Sequence, residues 1–203
     1  MMTTIRSATI LAGWSSLLIA SAWAQDAGDR AATKSPATVV QRTYPISAAG
    51  IEGLRLAMRE AILPIGQNRK AVATTQIEMT PEVSFDEAPG SCSIAGVTVD
   101  VRAVMTLPEW KEYRYGNARE RVAWDSYVNA LRQHEDLHVT IGEEYAGNMQ
   151  EVLSALPTKE TCDLMRAAVE REKAKVLARH RTAQLDLDAR SVRSTTPVDR
   201  PIR

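Results

Sequence analysis

Hydrophobic and polar residues alternate along this chain in two different periods. From Thr38 to Ile46 the residues are rich in β-branched side chains and read as a strand. Ile51, Leu54, Met58 and Ile62 then recur at helical spacing up to Pro64. From Ala73 to Phe85 the odd positions are mostly apolar (Ala73, Ile77, Met79, Val83, Phe85) and the even ones polar, which predicts a half-buried strand. Pro81 has no N–H to donate, so that strand is expected at a sheet edge or broken there. Asp86 to Ser91 contains Pro89-Gly90 and predicts a turn. Val97, Val99, Val101, Ala103, Met105 and Leu107 then alternate as a second long strand.

After Pro108 the period changes. Asn117 to Leu156 holds no proline, and Trp124, Val128, Leu131, His134, His138, Ile141, Tyr145, Met149 and Val152 recur in steps of three and four. That is one long helix with a continuous stripe, broken by Pro157. Lys159 to about Leu187 follows as a charged helix with Leu164, Ala168, Val169, Leu177 and Leu185 on one side. The order is β-α-β-β-α-α. It predicts an α+β domain over residues 38–190, with a small, mostly antiparallel sheet packed on a long helix and a second, C-terminal helix.

The ends read differently. Arg6 precedes a mostly apolar stretch from Ala8 to Ala20, and Ala22-Trp23-Ala24 has the small-x-small cleavage pattern. Residues 1–24 are therefore expected to be a signal peptide cut after Ala24, with an uncleaved short anchor as the alternative. The stretch is too short for a confident transmembrane span. Residues 25–37 have the composition of a disordered linker, and 191–203 that of a flexible tail. The predicted destination is the periplasm or the exterior, with no stable membrane insertion after cleavage.

Export bears on Cys92 and Cys162, an even pair for which a disulfide is the default in an oxidising compartment. Closing so long a loop stabilises a fold by roughly 4 kcal/mol in the chain-entropy account. Zinc ligation by the two cysteines is the alternative, but they lack ligand spacing. The 25 Lys plus Arg match the 25 Asp plus Glu, and there is one Phe. Neither an electrostatic footprint for nucleic acid nor an aromatic platform for single strands is present in that composition.

Candidate chemistry sits on the long helix. His134-Glu135-Asp136-Leu137-His138 reads H-E-x-x-H and uses two of the three histidines. Residues i and i+4 share a helix face, so both imidazoles can converge on one zinc ion, with Glu135 as general base toward a zinc-bound water. The structural alternative is a histidine pair satisfied at a helix–helix contact. The charges of Glu135 and Asp136 count against a dry contact, because buried carboxylates need partners.

A third ligand is not named by the pattern. The positions three and six past His138 hold Ile141 and Glu144, not the Gly and His of the metzincin extension. Glu144 would need a bend near Gly142 to reach the histidine face. Acidic residues of the last helix (Glu160, Asp163, Glu170, Glu172), His180 and Asp188 are the other candidates, and His180 between Arg179 and Arg181 reads as a solvated residue. Tyr145 lies on the histidine face and could donate to an oxyanion, although packing is its commoner role. Trp110 and Trp124 read as core.

With these pieces in place, the chain resembles a bacterial family of predicted secreted zinc-dependent proteases, known as domain of unknown function nine-two-two. The resemblance runs through Tyr44-Pro45, Leu54-Arg55, Thr75, Cys92, Thr106-Leu107-Pro108-Glu109-Trp110, Trp124-Asp125-Ser126-Tyr127, the pentad, and Thr161-Cys162-Asp163-Leu164. It implies His134 and His138 as zinc ligands, Glu135 as general base, and a role for Asp188. The family's closing Tyr-Asp-x-x-Thr-x-His-Gly stands here as Leu187-Asp188-Ala189-Arg190-Ser191-Val192-Arg193-Ser194. Asp188 is kept, Ser191 stands for Thr, and the Tyr and His positions hold Leu187 and Arg193.

The expectation is thus an exported, zincin-like metallopeptidase acting on a peptide or protein substrate. The rival, prompted by the altered closing pattern, is a non-catalytic binding or envelope-assembly module on the same fold.

Overall fold

Two strands of a hairpin carry most of the sheet, and their side-chain phase explains the rest of the chain's path. The computed structural model describes residues 36–60, 63–64 and 70–193. The expected signal peptide, residues 25–35 of the expected linker and the tail from 194 onward lie outside the described residues. Strand β1 (Ala37–Ile46) is followed by helix α1 (Gly50–Glu60), a short ribbon of β2 (Leu63–Pro64) and β3 (Lys70–Ala71), and the long strands β4 (Thr74–Ala88) and β5 (Ser91–Trp110). A 3-10 turn (Tyr113–Tyr115) leads into helix α2 (Ala118–Ser154), and helix α3 (Cys162–Arg193) closes the chain.

The main sheet has the order β1-β5-β4. β4 and β5 pair antiparallel from Thr74 opposite Thr106 to Ala88 opposite Ser91. The turn is only Pro89-Gly90, tighter than the sequence suggested. Gly90 takes φ +72°, a value glycine adopts without strain, after a proline that presets the preceding φ. β1 joins β5 in parallel, Ala37 opposite Val101 through Ile46 opposite Trp110, so the sheet is mixed. Pro81 lies opposite Val99 on β4, an edge strand, as a residue without an N–H requires.

Val97, Val99, Val101, Ala103, Met105 and Leu107 are all buried, and the intervening polar residues face outward. A register shift then changes the phase. Ser84 is opposite Gly96 but Phe85 is opposite Ile94, which leaves Ala95 as the extra residue of a β-bulge. Beyond it the inward set of β5 becomes even-numbered, and Cys92 points into the core, fully buried. There it forms the disulfide with Cys162 at the start of α3. Cys92 and Lys159 also exchange backbone hydrogen bonds of 2.7 and 2.9 Å, so the two segments are joined twice.

α2 begins at a capping box. The Asn117 side chain accepts from the Glu120 N–H at 3.0 Å, and the Glu120 carboxylate accepts from the Asn117 N–H at 2.9 Å. Its stripe lies on the sheet, with Ala146, Met149 and Leu153 against Met79, Val97, Val99 and Val101, and α3 adds Val169 and Val176. α1 covers the other end, where Leu54 and Met58 meet Ile46, Trp110, Trp124 and Tyr127. Trp110 and Trp124 are core residues, the commoner role of aromatics beside a helix stripe. One face of the sheet therefore carries the helices, a two-layer α+β arrangement.

Candidate metal centre

His134 and His138 project from one face of α2, and their rings meet edge to face with centroids 4.9 Å apart. α3 crosses this face near its own C-terminal end and places Asp188 between them. Asp188 Oδ1 lies 3.1 Å from His138 Nε2 and 3.4 Å from His134 Nε2. The two Nε2 atoms are 3.2 Å apart. These three residues form a group able to hold a metal ion, their ligand atoms all within 4.8 Å of one another. The His138 side chain is 10% exposed, against 27% for His134 and 29% for Asp188, so the centre opens to solvent on the His134–Asp188 side.

The other nitrogens of both rings are engaged by α3. His138 Nδ1 meets Gln184 Oε1 in a short hydrogen bond. Gln184 Nε2 donates to the His138 carbonyl at 3.1 Å and lies 2.8 Å from His180 Nε2. His134 Nδ1 lies 3.2 Å from Ser191 Oγ, whose hydroxyl donates to the Leu187 carbonyl at 3.1 Å.

Glu135 turns away from Asp136 and into the protein, 3% exposed. Burial pushes its carboxyl above the usual glutamate range, opposed first by the Thr75 hydroxyl on β4 and then by the His138 and His134 charges. Thr75 approaches Glu135 without completing a hydrogen bond of good geometry, so Thr75 Oγ1 and Glu135 Oε2 remain buried polar atoms without a partner. α2 can come this close to β4 because Gly142, one turn past His138, has no Cβ. A Cβ there would stand 2.9 Å from Ile77 Cγ2.

The remaining sequence candidates separate cleanly. Asp188 joins the group. His180 does not join it, nor is it a solvated residue: it is buried at 9% exposure, with Tyr145 packed on its ring at 5.6 Å. Burial and then the His138 charge hold its imidazole below the ordinary value. Arg179 and Arg181 point outward because helix neighbours diverge by about 100°. Glu144, Glu160, Asp163 and Glu170 are exposed, and Glu172 pairs with Lys175. α2 runs unbroken through Gly142, so Glu144 stays off the histidine face.

Gln184 has no part in the sequence motifs, and Ser191 enters them only as the residue at the Thr position of the closing pattern. One signal was present: His180, Gln184, Asp188 and Ser191 follow at steps of four, four and three, a polar stripe on one face of a charged helix.

Residues 41–194 match the model of a family described as bacterial protein of unknown function (DUF922). The chain belongs to that family. No curated protein and no solved structure matches it. The DUF922 span includes every residue of the centre, from Thr75 to Ser191, together with both cysteines. The likeness expected from the ordered motifs thus holds for the family itself.

Proposed function

We propose that this DUF922 protein is an exported zinc-dependent metallopeptidase, with His134, His138 and Asp188 as the metal-holding residues and Glu135 as general base. The observation that carries the reading is the triangle of donor atoms. A tetrahedral zinc site with bonds of about 2.0–2.1 Å sets its ligands about 3.3–3.4 Å apart. The three separations here are 3.1, 3.2 and 3.4 Å. Two imidazole nitrogens and one carboxylate are also a donor set of the catalytic type, which leaves a fourth position open. Zinc bound there would supply Lewis-acid activation of water and stabilisation of developing negative charge.

The chain's own groups fit the remaining roles. Glu135 Oε2 is an acceptor with no protein partner beside the histidines. A carboxyl raised by burial is a better proton acceptor near neutral pH than an ordinary glutamate. It would take a proton from the attacking water and pass it to the departing amine. β4 runs beside Glu135 as an edge strand, and an extended peptide can pair with such an edge through its backbone. Export is supported by the disulfide. Among the described residues no helix is long and apolar enough to cross a membrane.

Purified protein should contain one zinc per chain and hydrolyse peptides, and Glu135→Gln should keep the zinc and lose the hydrolysis. Zinc without hydrolysis in the wild type would favour the binding-module reading. A folded protein that excludes zinc sinks the proposal.

A further inference from the structure

A histidine ligand needs a bare Nε2, yet a free imidazole leaves open which nitrogen keeps the proton. We infer that Gln184 and Ser191 are positioning residues that fix the Nδ1–H tautomers of His138 and His134, and so hold both Nε2 lone pairs on the metal position. The inference rests on the metal reading above and assigns work to residues outside the ligand set.

Gln184 can face only one way. The His138 carbonyl is an acceptor without ambiguity, so the amide nitrogen lies toward it at 3.1 Å. The amide oxygen is then the atom at His138 Nδ1, and that nitrogen must be the donor. One side chain thereby grips His138 by its ring and by its backbone. The second amide hydrogen points at His180 Nε2, 2.8 Å away, which accepts it. His180 therefore backs the amide, and the buried ring takes part without touching the metal position.

Ser191 works by the same logic with a smaller group. Its single hydroxyl hydrogen is directed at Leu187 O, so the oxygen presents a lone pair to His134 Nδ1 at 3.2 Å. With both Nδ1 atoms protonated, two bare Nε2 atoms and the Asp188 carboxylate face one another at 3.1–3.4 Å. With no hydrogen between three such acceptors, the arrangement favours a cation at their centre. The tethers thus hold both Nε2 lone pairs and the Asp188 carboxylate toward one point. Gln184, Asp188 and Ser191 lie on one face of α3, so a single helical stripe delivers a tether, a ligand and a second tether.

The test uses the full-length oxidised protein as wild type, Gln184→Leu, Ser191→Ala, and the conservative pair Gln184→Glu and Ser191→Thr, which keep the acceptor oxygens. Long-range proton–nitrogen spectra of the metal-free proteins are recorded at alkaline pH, where imidazole is neutral. Zinc is then titrated against each. The wild type should show Nδ1–H tautomers at His134 and His138. Gln184→Leu should shift His138 toward Nε2–H, and Ser191→Ala should do the same to His134. Each should weaken zinc binding by about 10–100-fold, the usual effect of losing an outer partner of a histidine ligand. The conservative variants should restore most of both. Unchanged tautomers and affinity in Gln184→Leu and Ser191→Ala overturn the inference. A wild type with the assigned tautomers that takes up no zinc overturns the metal reading instead, and supports the tethers. Should Gln184→Leu fail to fold, the two Ser191 variants make the same comparison.

Discussion

Asp188 Oδ1 lies 3.1 Å from His138 Nε2, although the two side chains come from different helices and nothing in the local sequence links them. That contact depends on where α3 crosses α2. The crossing is set by Val169 and Val176 packed against Ala146, Met149 and Leu153 of the α2 stripe.

Removing the contact should remove the metal. Asp188→Ala should weaken zinc binding by more than the about 10–100-fold expected for an outer partner. His180→Ala should weaken it less than that, since its ring reaches the centre only through Gln184. Isothermal titration of zinc into both variants decides the order, and equal loss in the two would contradict it.

Glu135→Gln should slow peptide hydrolysis by about 10²–10⁴-fold with zinc content unchanged, the range for loss of a general base. The same variant carries a pH signature in metal-free protein. Burial raises the folded carboxyl above its ordinary value of 4.5. Below 4.5 the group is protonated in both states and its stabilising share is fully present. As pH rises toward the folded value, the unfolded chain ionises first and stability is lost. Wild type should therefore fall in stability across that window relative to Glu135→Gln. Denaturant melts at several pH values would show the gap opening with pH, and a gap that closes instead would reverse the sign assigned here.

Cys92→Ser should destabilise the protein by about 2–5 kcal/mol, the usual effect of deleting a native disulfide. The bond joins β5 to the start of α3, whereas the metal centre lies at the other end of that helix. Zinc should still bind to the folded fraction. Urea melts with and without zinc separate the two effects.

Gly116→Ala should destabilise by about 1–3 kcal/mol through overpacking alone. A Cβ at that position would stand 2.3 Å from Trp110 Cη2 and 2.8 Å from Cζ3. The indole cannot step aside easily, because Trp110 Nε1 donates to the Ala48 carbonyl at 3.0 Å. Gly116 has φ −67°, so the cost is one of space and not of backbone conformation. Trp110→Phe should relieve part of it in a double-mutant cycle, and strictly additive changes would argue against the clash.

Much of this fold was legible because period-two and period-3.6 patterns are local. The alternation of Val97 to Leu107, the edge role of Pro81 and the unbroken stripe of α2 follow from neighbours a few residues apart. The two histidines and the cysteine pair carried their own chemistry. What escaped the sequence was set by tertiary packing. The parallel pairing of β1 with β5 has no local signature, and Gln184 and Ser191 are uncharged polar residues until α3 is laid across α2. His180 misled for the same reason: its arginine neighbours describe two other faces of the helix.

Ala95 behaves as a frameshift in the side-chain reading of β5. Residues after it face inward at odd numbers and residues before it at even numbers, so one unpaired residue decides that Cys92 looks toward α3. Deleting Ala95 while keeping the hairpin would turn that thiol to the solvent face and strand Cys162 without its mate. Thiol-reagent counting on such a deletion should find two free sulfhydryls in a chain that still contains both cysteines. The crosslink is written in three positions, and the one that carries no sulfur sets its direction.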